Sequence, residues 1–402
     1  MRDICTELIH HSYRPPAGFD APQPGVFKAS TVIFPNVRAM RQREWKDKSG
    51  YTYGLHGTPT TFILEERLCT LEGAAQCVLL PSGLAAIANV ALAFLKSGDE
   101  VLIPDNVYAP NKSLAQGELR NWGISHRLYD ASDPQDLAAK LGPKTRLVWL
   151  EAAGSVTLEF PDLCQMVRLC RAAGVLCALD NTWGAGLAFQ PFDLQPGAEP
   201  PLGVDISVHA LTKYPSGGGD VLMGSVVTRD PALALAIKLT RMRLGMGVGA
   251  NDVEGVLRAL PSMALRYQAH DAATRTLARW CQSRGEFAQV LHPALPGSPG
   301  HAHWKALCGE RATGAAGLFS VLFRPQYGAA QVDAFCDALR LFKLGYSWGG
   351  PISLVVPYDL SAMRDPWPKH LAQGTLVRFS IGLEAPADLQ ADLEQALRSA
   401  LA

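Results

Sequence analysis

The chain has 402 residues, of which 37 are basic and 37 are acidic, so its formal net charge at pH 7 is zero. Balanced charge without a basic block argues against nucleic acid as the partner. This length exceeds what one small core needs, and it predicts two domains preceded by an arm.

The N-terminal stretch and the apolar runs bear on the cellular location of the protein. Arg2, Asp3 and Glu7 interrupt the first residues, which lack the apolar centre of a secretory signal. The longest apolar run, 83–95, is broken by Asn89 and is too short to span a bilayer. These features predict a soluble, cytoplasmic protein that has no membrane partner.

The cysteines and histidines give no strong metal signal. Nine cysteines, an odd number set mostly among apolar neighbours, favour free thiols over a disulfide framework. The densest candidate cluster, His301, His303 and Cys308, follows three prolines in a predicted loop and lacks a second pair of ligands. We interpret it as structural and expect no metal.

The first two-thirds of the chain divide into an arm and a main domain. Residues 1–57 are rich in Pro, Gly, Arg and Tyr without a sustained period, which predicts an extended arm packed on another surface. A helix capped by Thr60 or Thr61 and ended by Gly73 follows. Strands and helices then alternate, which predicts a mostly parallel sheet with helices on both faces. Its seven predicted strands are 77–80, 100–104, 124–129, 146–151, 175–180, 205–210 and 223–228.

A glycine-rich loop or hinge at 241–249 closes this main domain, predicted as 58–250. Residues 252–282 predict one or two long helices interrupted near Pro261. Further strands are predicted at 318–323, 352–356 and 376–380. The remaining chain, 251–402, is therefore predicted as a smaller α+β domain.

Lys213 lies three residues after the predicted strand 205–210. Three glycines, 217–219, follow shortly after it. A buried ammonium loses hydration, so its pKa falls toward neutrality, as a lysine that forms a Schiff base requires. A lysine whose amine reaches a loop surface explains the same segment equally well. The segment alone does not decide between the two.

A second charged residue, Asp180, ends a five-residue apolar run that predicts a buried strand. In an open parallel sheet, ligands bind beyond the carboxyl ends of the strands. An amine and a carboxylate at two such ends are the pair with which proteins hold pyridoxal phosphate, since the carboxylate keeps the ring nitrogen protonated and the lysine bonds to the aldehyde.

Three other positions have both a functional and an ordinary explanation. Ser82 and Gly83 lie at a strand-to-helix junction that suits a phosphate, although a simple N-cap explains Ser82 equally well. Tyr108 lies in a loop after a strand, where its ring could stack on a ligand or simply pack against the protein. Arg378, inside an alternating strand, suits a bidentate grip on a carboxylate, or pairs with a nearby acid on an edge strand.

Asp180-Asn181-Thr182-Trp183 and Thr212-Lys213-Tyr214, with the glycines and Asp220 that follow, resemble motifs of the Cys/Met-metabolism family of pyridoxal-phosphate enzymes. The resemblance covers 51–384 and implies the fold-type I architecture of these enzymes. It implies that Ser82, Gly83, Leu84 and Thr212 contact the cofactor phosphate. It also implies that Tyr108 stacks on the cofactor ring and that Arg378 binds the substrate carboxylate.

The arm carries the largest departure from the family, because the family's Tyr-x-Arg reads here as Tyr53, Gly54 and Leu55. In the family this arm reaches the neighbouring subunit's cofactor, which implies a homodimer with shared sites, assembled into a homotetramer. Lys213, Tyr108 and Tyr53 are the expected catalytic residues. With the arginine replaced by leucine, we expect His56 to supply part of the lost contact to the phosphate.

Residues that differ within the family favour its bacterial cystathionine β-lyases. They are Tyr346-Ser347-Trp348, the stretch 151–155 and the absence of a cysteine shortly after Tyr108. Ser347 and Trp348 are the expected substrate contacts beside Arg378. The implied reaction splits L-cystathionine, a small amino acid, into homocysteine, pyruvate and ammonia. A γ-synthase or a broad carbon-sulfur lyase is the first alternative, and a non-catalytic binding protein on the same fold is the second.

Overall fold

The computed structural model describes residues 3–11, 17–18, 20–309 and 314–401. Positions 1–2, 12–16 and 19 of the predicted arm lie outside the described residues. The described arm contains two short helices, α1 (Ile4–Ile9) and α2 (Val37–Arg41), so it is not extended throughout. No helix in the described ranges is both long and apolar enough to cross a membrane.

The main domain is built on a seven-stranded sheet. Its strands are β1 (Gln76–Leu80), β2 (Glu100–Pro104), β3 (Ser125–Tyr129), β4 (Thr145–Glu151), β5 (Leu176–Asp180), β6 (Ile206–Ala210) and β7 (Gly224–Thr228). They lie in the order β1-β7-β6-β5-β4-β2-β3, and only β7 runs antiparallel to its neighbours. The predicted mostly parallel seven-stranded sheet is confirmed.

Helices alternate with these strands. They are α3 (Pro59–Glu72), α4 (Gly83–Phe94), α5 (Ala109–Leu114), which continues as a π-helical turn over Ala115–Leu119, α6 (Pro134–Lys140), α7 (Leu163–Ala172) and α8 (Pro231–Arg243). Many residues of this domain's core are completely buried, as expected for a sheet that carries helices on its faces.

The predicted cap of α3, Thr60 or Thr61, was wrong by two or three residues. Thr58 caps the helix, because its hydroxyl accepts from the Thr61 N–H and the Thr61 hydroxyl accepts from the Thr58 N–H at 2.8 Å. Pro59 occupies the first helical position, where its missing N–H costs nothing. Gly73 ends α3 in the left-handed conformation as predicted, with φ 68°.

The remaining chain forms a second sheet with its own helices. The strands β8 (Phe287–Leu291), β9 (Leu318–Phe323), β10 (Lys343–Leu344), β11 (Leu354–Tyr358) and β12 (Leu376–Ser380) lie in the order β10-β11-β12-β9-β8. The helices are α9 (Ala250–Ala259), α10 (Met263–Gln282), α11 (His301–Cys308), α12 (Ala329–Ala338) and α13 (Pro386–Leu401). The predicted boundary between 250 and 251 falls in the first turn of α9 and stays a prediction.

Two details of this part refine the sequence analysis. The interruption near Pro261 is confirmed as a 3-10 turn, Leu260–Ser262, between α9 and α10, because proline cannot donate a helical hydrogen bond. The predicted loop around His301 and His303 is instead helix α11, in which the His301 ring bonds to the Pro293 carbonyl at 2.8 Å. The described residues contain no group of side chains suited to holding a metal ion.

Candidate active site

The Lys213 amine is held in a partly buried position beyond the carboxyl end of β6. A tight turn follows the strand, in which the Lys213 N–H donates to the Ala210 carbonyl at 3.0 Å. The side-chain Nζ donates to Ser347 Oγ at 2.8 Å and lies 5.4 Å from the centre of the Trp348 ring. Burial, and then the positive charge of Arg378, lower the pKa of Lys213 to about 8. The structure therefore removes the alternative of an amine at a loop surface.

Ser347 reaches that amine from a strained backbone. Its φ is 117°, in the region that favours glycine. Such strain persists only where surrounding interactions hold it, and it is enriched at functional sites. The hydrogen bond between Ser347 Oγ and Nζ of Lys213 is an interaction of this kind.

Asp180 lies at the end of β5, next to β6. Its Oδ1 accepts from the N–H of Thr182 at 3.0 Å and from the Thr182 hydroxyl. The same hydroxyl accepts from the Ala210 N–H at 3.0 Å, which ties the ends of the two strands together. Burial raises the pKa of Asp180, while the hydrogen bonds from Thr182 oppose that shift.

Glu151 is a third polar strand end, and its place in the site was missed from sequence. It ends β4 directly opposite Asp180 in the parallel register. Its carboxyl accepts from the Tyr108 N–H at 2.8 Å and from Ser155 Oγ at 2.6 Å. Burial, and then the charge of Asp180, raise its pKa well above the usual range. The signal that could have found it is the one used for Asp180, a carboxylate ending an apolar strand.

The start of α4 offers N–H groups close to these strand ends. Ser82 caps the helix by accepting from the Ala85 N–H at 3.0 Å, so the ordinary explanation of Ser82 holds. The N–H groups of Gly83 and Leu84 have no acceptor within the helix and can bind an anion. A Cβ on Gly83 would lie 2.7 Å from the Cβ of Ala210, so only glycine allows α4 to approach β6 this closely.

Thr212 and Tyr108, two further predicted contacts to the cofactor, differ in whether their side chains are already engaged by the protein. The Thr212 hydroxyl lies 3.3 Å from the Met223 N–H and 3.4 Å from its carbonyl, so it is shared with the backbone. The Tyr108 side chain is 41% exposed at the start of α5, and its backbone is fixed by Glu151. That exposed ring leaves a face available for stacking.

Arg378 lies on β12, between β11 and β9, and so it is not on an edge strand. Among the described residues no carboxylate pairs with its guanidinium, and its buried Nε has no hydrogen-bond partner. Burial lowers the pKa of Arg378. An unpaired buried charge is costly, and a bound carboxylate would supply the missing partner.

The arm residues lie apart from this group. No hydrogen bond or ring contact in the described ranges joins Tyr53 or His56 to Lys213. His56 stacks on Trp45 at 4.4 Å, and its Nδ1 pairs with Thr52 Oγ1 at 2.8 Å. Burial, followed by nearby lysine and arginine charges, lowers the pKa of His56, which favours the neutral ring. Tyr53 is 46% exposed.

The residues that do come together fit pyridoxal phosphate. The partly buried Lys213 amine of lowered pKa suits the aldehyde of the cofactor, and the carboxyl of Asp180 suits its ring nitrogen. The N-terminus of α4 suits its phosphate, and the unpaired guanidinium of Arg378 suits the carboxylate of an amino acid. At the carboxyl edge of a mostly parallel sheet, this set defines a fold-type I pyridoxal-phosphate enzyme.

Comparisons with known proteins give the family. The family described as "Cys/Met metabolism PLP-dependent enzyme" matches residues 5–398. A "Putative cystathionine beta-lyase" of Rhizobium johnstonii is 38% identical over 99% of this chain and 97% of its own length. The cystathionine β-lyase of Escherichia coli is 33% identical over 98% of both chains. The chain therefore belongs to the Cys/Met-metabolism family of pyridoxal-phosphate-dependent enzymes, as its motifs predict.

A solved structure agrees with the fold. The crystal structure of cystathionine γ-lyase from Lactobacillus plantarum, complexed with L-serine, superposes with a TM-score of 0.86. It is 25% identical in sequence and covers 100% of both chains. Both domains of the present chain thus have counterparts in that enzyme.

Proposed function

We propose that this protein is a carbon-sulfur lyase that splits L-cystathionine into homocysteine, pyruvate and ammonia by β-elimination. The observation that carries the proposal is the unpaired guanidinium of Arg378, whose charge acts on the Lys213 amine. An α-amino acid bound through its carboxylate at Arg378 would present its Cα to that amine. The names of the Rhizobium and E. coli relatives support cystathionine as the substrate.

The cofactor site uses residues from several strand ends. Lys213 would bond to the aldehyde, Asp180 would face the ring nitrogen and Tyr108 would cover the ring. Ser82, Gly83, Leu84 and Thr212 would hold the phosphate. When bound, pyridoxal phosphate supplies a ring that accepts the electrons left at Cα when its proton is removed.

Lys213 moves the protons in this proposal. The substrate's amino group would first displace Lys213 from the aldehyde carbon, which frees the lysine amine. As a neutral amine Lys213 takes the proton from Cα, and as an ammonium it gives that proton to the departing sulfur when the Cβ–S bond breaks with its electron pair on sulfur. Ser347 accepts a hydrogen bond from the amine and fixes its direction. The Trp348 ring, 5.4 Å away, stabilises the charged form. Water then releases pyruvate and ammonia from the remaining three-carbon fragment.

The proposed assembly is a homodimer with shared sites, paired into a cytoplasmic homotetramer. The arm exposes large apolar side chains at Ile33, Val37, Met40, Tyr51 and Tyr53. Contiguous exposed apolar groups mark interaction surfaces. Tyr53 would act at the neighbouring subunit's site, which accounts for its lack of contact with Lys213 in its own chain.

A γ-eliminating activity is the alternative, since the similar Lactobacillus plantarum structure is of a γ-lyase. Release of pyruvate and of 2-oxobutyrate should be measured with cystathionine, cystine and methionine, with Lys213→Ala as the inactive control. We expect pyruvate from cystathionine to exceed 2-oxobutyrate from methionine, because the bulky Trp348 ring lies 5.4 Å from the amine. More 2-oxobutyrate than pyruvate in matched assays would overturn β-elimination. No keto acid from any of the three would remove the lyase proposal altogether.

A further inference from the structure

The guanidinium of Arg378 has an aromatic neighbour in place of a counter-ion. Its central carbon lies 5.4 Å from the centre of the Tyr358 ring. Val356 is directly opposite Arg378 in the antiparallel pair β11–β12, and Tyr358 is two residues further along β11. Tyr358 is therefore the diagonal neighbour of Arg378 on the same face of the sheet, a distance that an aromatic side chain and an arginine can span.

The Tyr358 ring is itself in contact with a second aromatic ring. The Tyr346 ring meets it edge to face at 6.5 Å between centres, with 66° between the ring planes. Tyr346 immediately precedes Ser347 and Trp348, the two residues that contact the Lys213 amine. The same loop thus touches both the Lys213 amine and the ring beside Arg378.

We propose that Tyr358 is a positioning residue that orients Arg378 for the substrate carboxylate. An aspartate or glutamate at this place would occupy the N–H groups of the guanidinium and compete with the substrate. A ring face stabilises the positive charge through its π electrons and leaves the N–H groups free for a bidentate carboxylate. Among the described residues, Nε of Arg378 is buried without a hydrogen-bond partner, so contact with the Tyr358 ring would orient the guanidinium before substrate binds.

This inference rests on the proposed role of Arg378 in carboxylate binding, but not on the identity of the thioether substrate. Any α-amino acid carries the carboxylate, so the test uses L-alanine and, as a matched probe without a carboxylate, L-alaninamide. Their dissociation constants are measured on the holoenzyme from the change in absorbance of the bound cofactor. The variants are Tyr358→Leu, Tyr358→Phe, Arg378→Ala and the double variant Tyr358→Leu/Arg378→Ala.

We expect Tyr358→Leu to weaken L-alanine binding about 3- to 30-fold, the equivalent of a partly desolvated cation–π contact. Binding of L-alaninamide should change much less, because its neutral amide cannot form the bidentate ion pair with the guanidinium. Tyr358→Phe keeps the ring and should bind L-alanine within about twofold of wild type. In the double variant, the loss of L-alanine affinity should equal that of Arg378→Ala alone, because the ring affects L-alanine binding only through the arginine.

A matched control is Tyr327→Leu, since Tyr327 packs edge to face on Phe323 in the same domain at 6.3 Å. It should leave both dissociation constants unchanged. Equal weakening of L-alanine and L-alaninamide in Tyr358→Leu, or additive losses in the double variant, would overturn the inference. So would normal L-alanine binding by Arg378→Ala. Failure of the lyase assay with cystathionine would leave these binding results standing, so the two proposals fail separately.

Discussion

At Lys213, burial and the guanidinium of Arg378 act on the amine in the same direction and lower its pKa to about 8. A lowered lysine pKa means that the neutral, reactive amine predominates above that pH and is lost as the pH falls below it. Ser347 and Trp348 then fix where the amine lies. The residue combines reactivity and direction before any cofactor is bound.

The first prediction concerns capture of pyridoxal phosphate by the cofactor-free protein. Its rate should rise about tenfold per pH unit below the Lys213 pKa of about 8 and level off above it. Stopped-flow absorbance across pH 6 to 10 measures this. In Arg378→Ala the midpoint should move upward, because one of the two causes is removed. A rate that keeps rising steadily through pH 10 in wild type would contradict the prediction.

The second prediction concerns Asp180→Asn. The variant should fold normally but release pyruvate more slowly by orders of magnitude, because an amide cannot hold a proton on the ring nitrogen by charge. Asp205→Asn is the matched control, since Asp205 binds the Cys177 N–H at the opposite end of β5. Turnover numbers and thermal unfolding are compared for the three proteins. A turnover number for Asp180→Asn equal to that of wild type would reject the role.

The site residues that could be found from sequence are those whose type is unusual for their place. An aspartate that ends an apolar strand and a lysine in the turn just after one are costly unless used, so Asp180 and Lys213 are visible in the pattern. Glu151 was visible in the same way but was interpreted only as part of a subfamily motif. Tyr358 was not visible, because its contact with Arg378 depends on the register of β11 against β12.

At the scale of elements, the arm carries the predicted departure from the family motif, at Leu55. Arg241 donates to the carbonyls of Leu79 and Leu55, so the backbone at the position of the missing arginine is fixed. His56 stacks on Trp45 and hydrogen-bonds to Thr52. Its lowered pKa favours the neutral ring. A neutral His56 can donate to a phosphate from Nε2 in the tautomer whose Nδ1 accepts from the Thr52 hydroxyl.

The third prediction is that Leu55→Arg tightens cofactor binding. A charge-assisted hydrogen bond to the phosphate contributes about 1.5–3 kcal/mol, or about 10- to 100-fold in the dissociation constant. Leu341→Arg, the same change at an exposed leucine of the second domain, should leave binding unchanged. Equilibrium dialysis gives the dissociation constant of pyridoxal phosphate for wild type, Leu55→Arg and Leu341→Arg. No tightening in Leu55→Arg would mean that the arm does not reach a phosphate.

His56→Ala provides the companion measurement. We expect it to loosen the cofactor by a similar factor at pH 7 and pH 9, because the lost donor is already neutral at both. Unchanged binding at every pH would contradict a compensating role for His56.

The alternation of apolar strands and helices was sufficient to predict the central sheet, because parallel strands buried on both faces read as continuous apolar runs. The antiparallel direction of β7 was not predicted, since direction depends on the connection and not on the strand's own residues. Helix α11 was interpreted as a loop because three prolines precede it. The choice of Thr58 over its neighbours as a cap required the reciprocal bond with Thr61.

At the scale of the whole molecule, the proposed sharing of each site between two chains can be tested by mixing two variants. The fourth prediction is that Lys213→Ala and Tyr53→Ala, each inactive alone, regain activity when refolded together. In a mixed dimer one site carries both changes and the other carries neither, so about a quarter of the wild-type activity should return from equal amounts. Mixing Lys213→Ala with Asp180→Asn, whose changes lie in the same chain's site, is the control and should regain none.

The contrary result would be no recovery from the first pair, despite mixed dimers detected by native mass spectrometry. That outcome would place Tyr53 at its own chain's site or outside any site. Light scattering of the wild type tests the proposed tetramer independently of activity.

The central claim is that Lys213 is the amine that holds pyridoxal phosphate in this enzyme. The most direct measurement is reduction of the holoenzyme with borohydride, followed by digestion and mass mapping of the peptide that carries the reduced cofactor. We expect the added mass on Lys213 alone and no labelled peptide from Lys213→Ala. A label on another lysine that lies partly within the protein, such as Lys238 or Lys112, would contradict the claim.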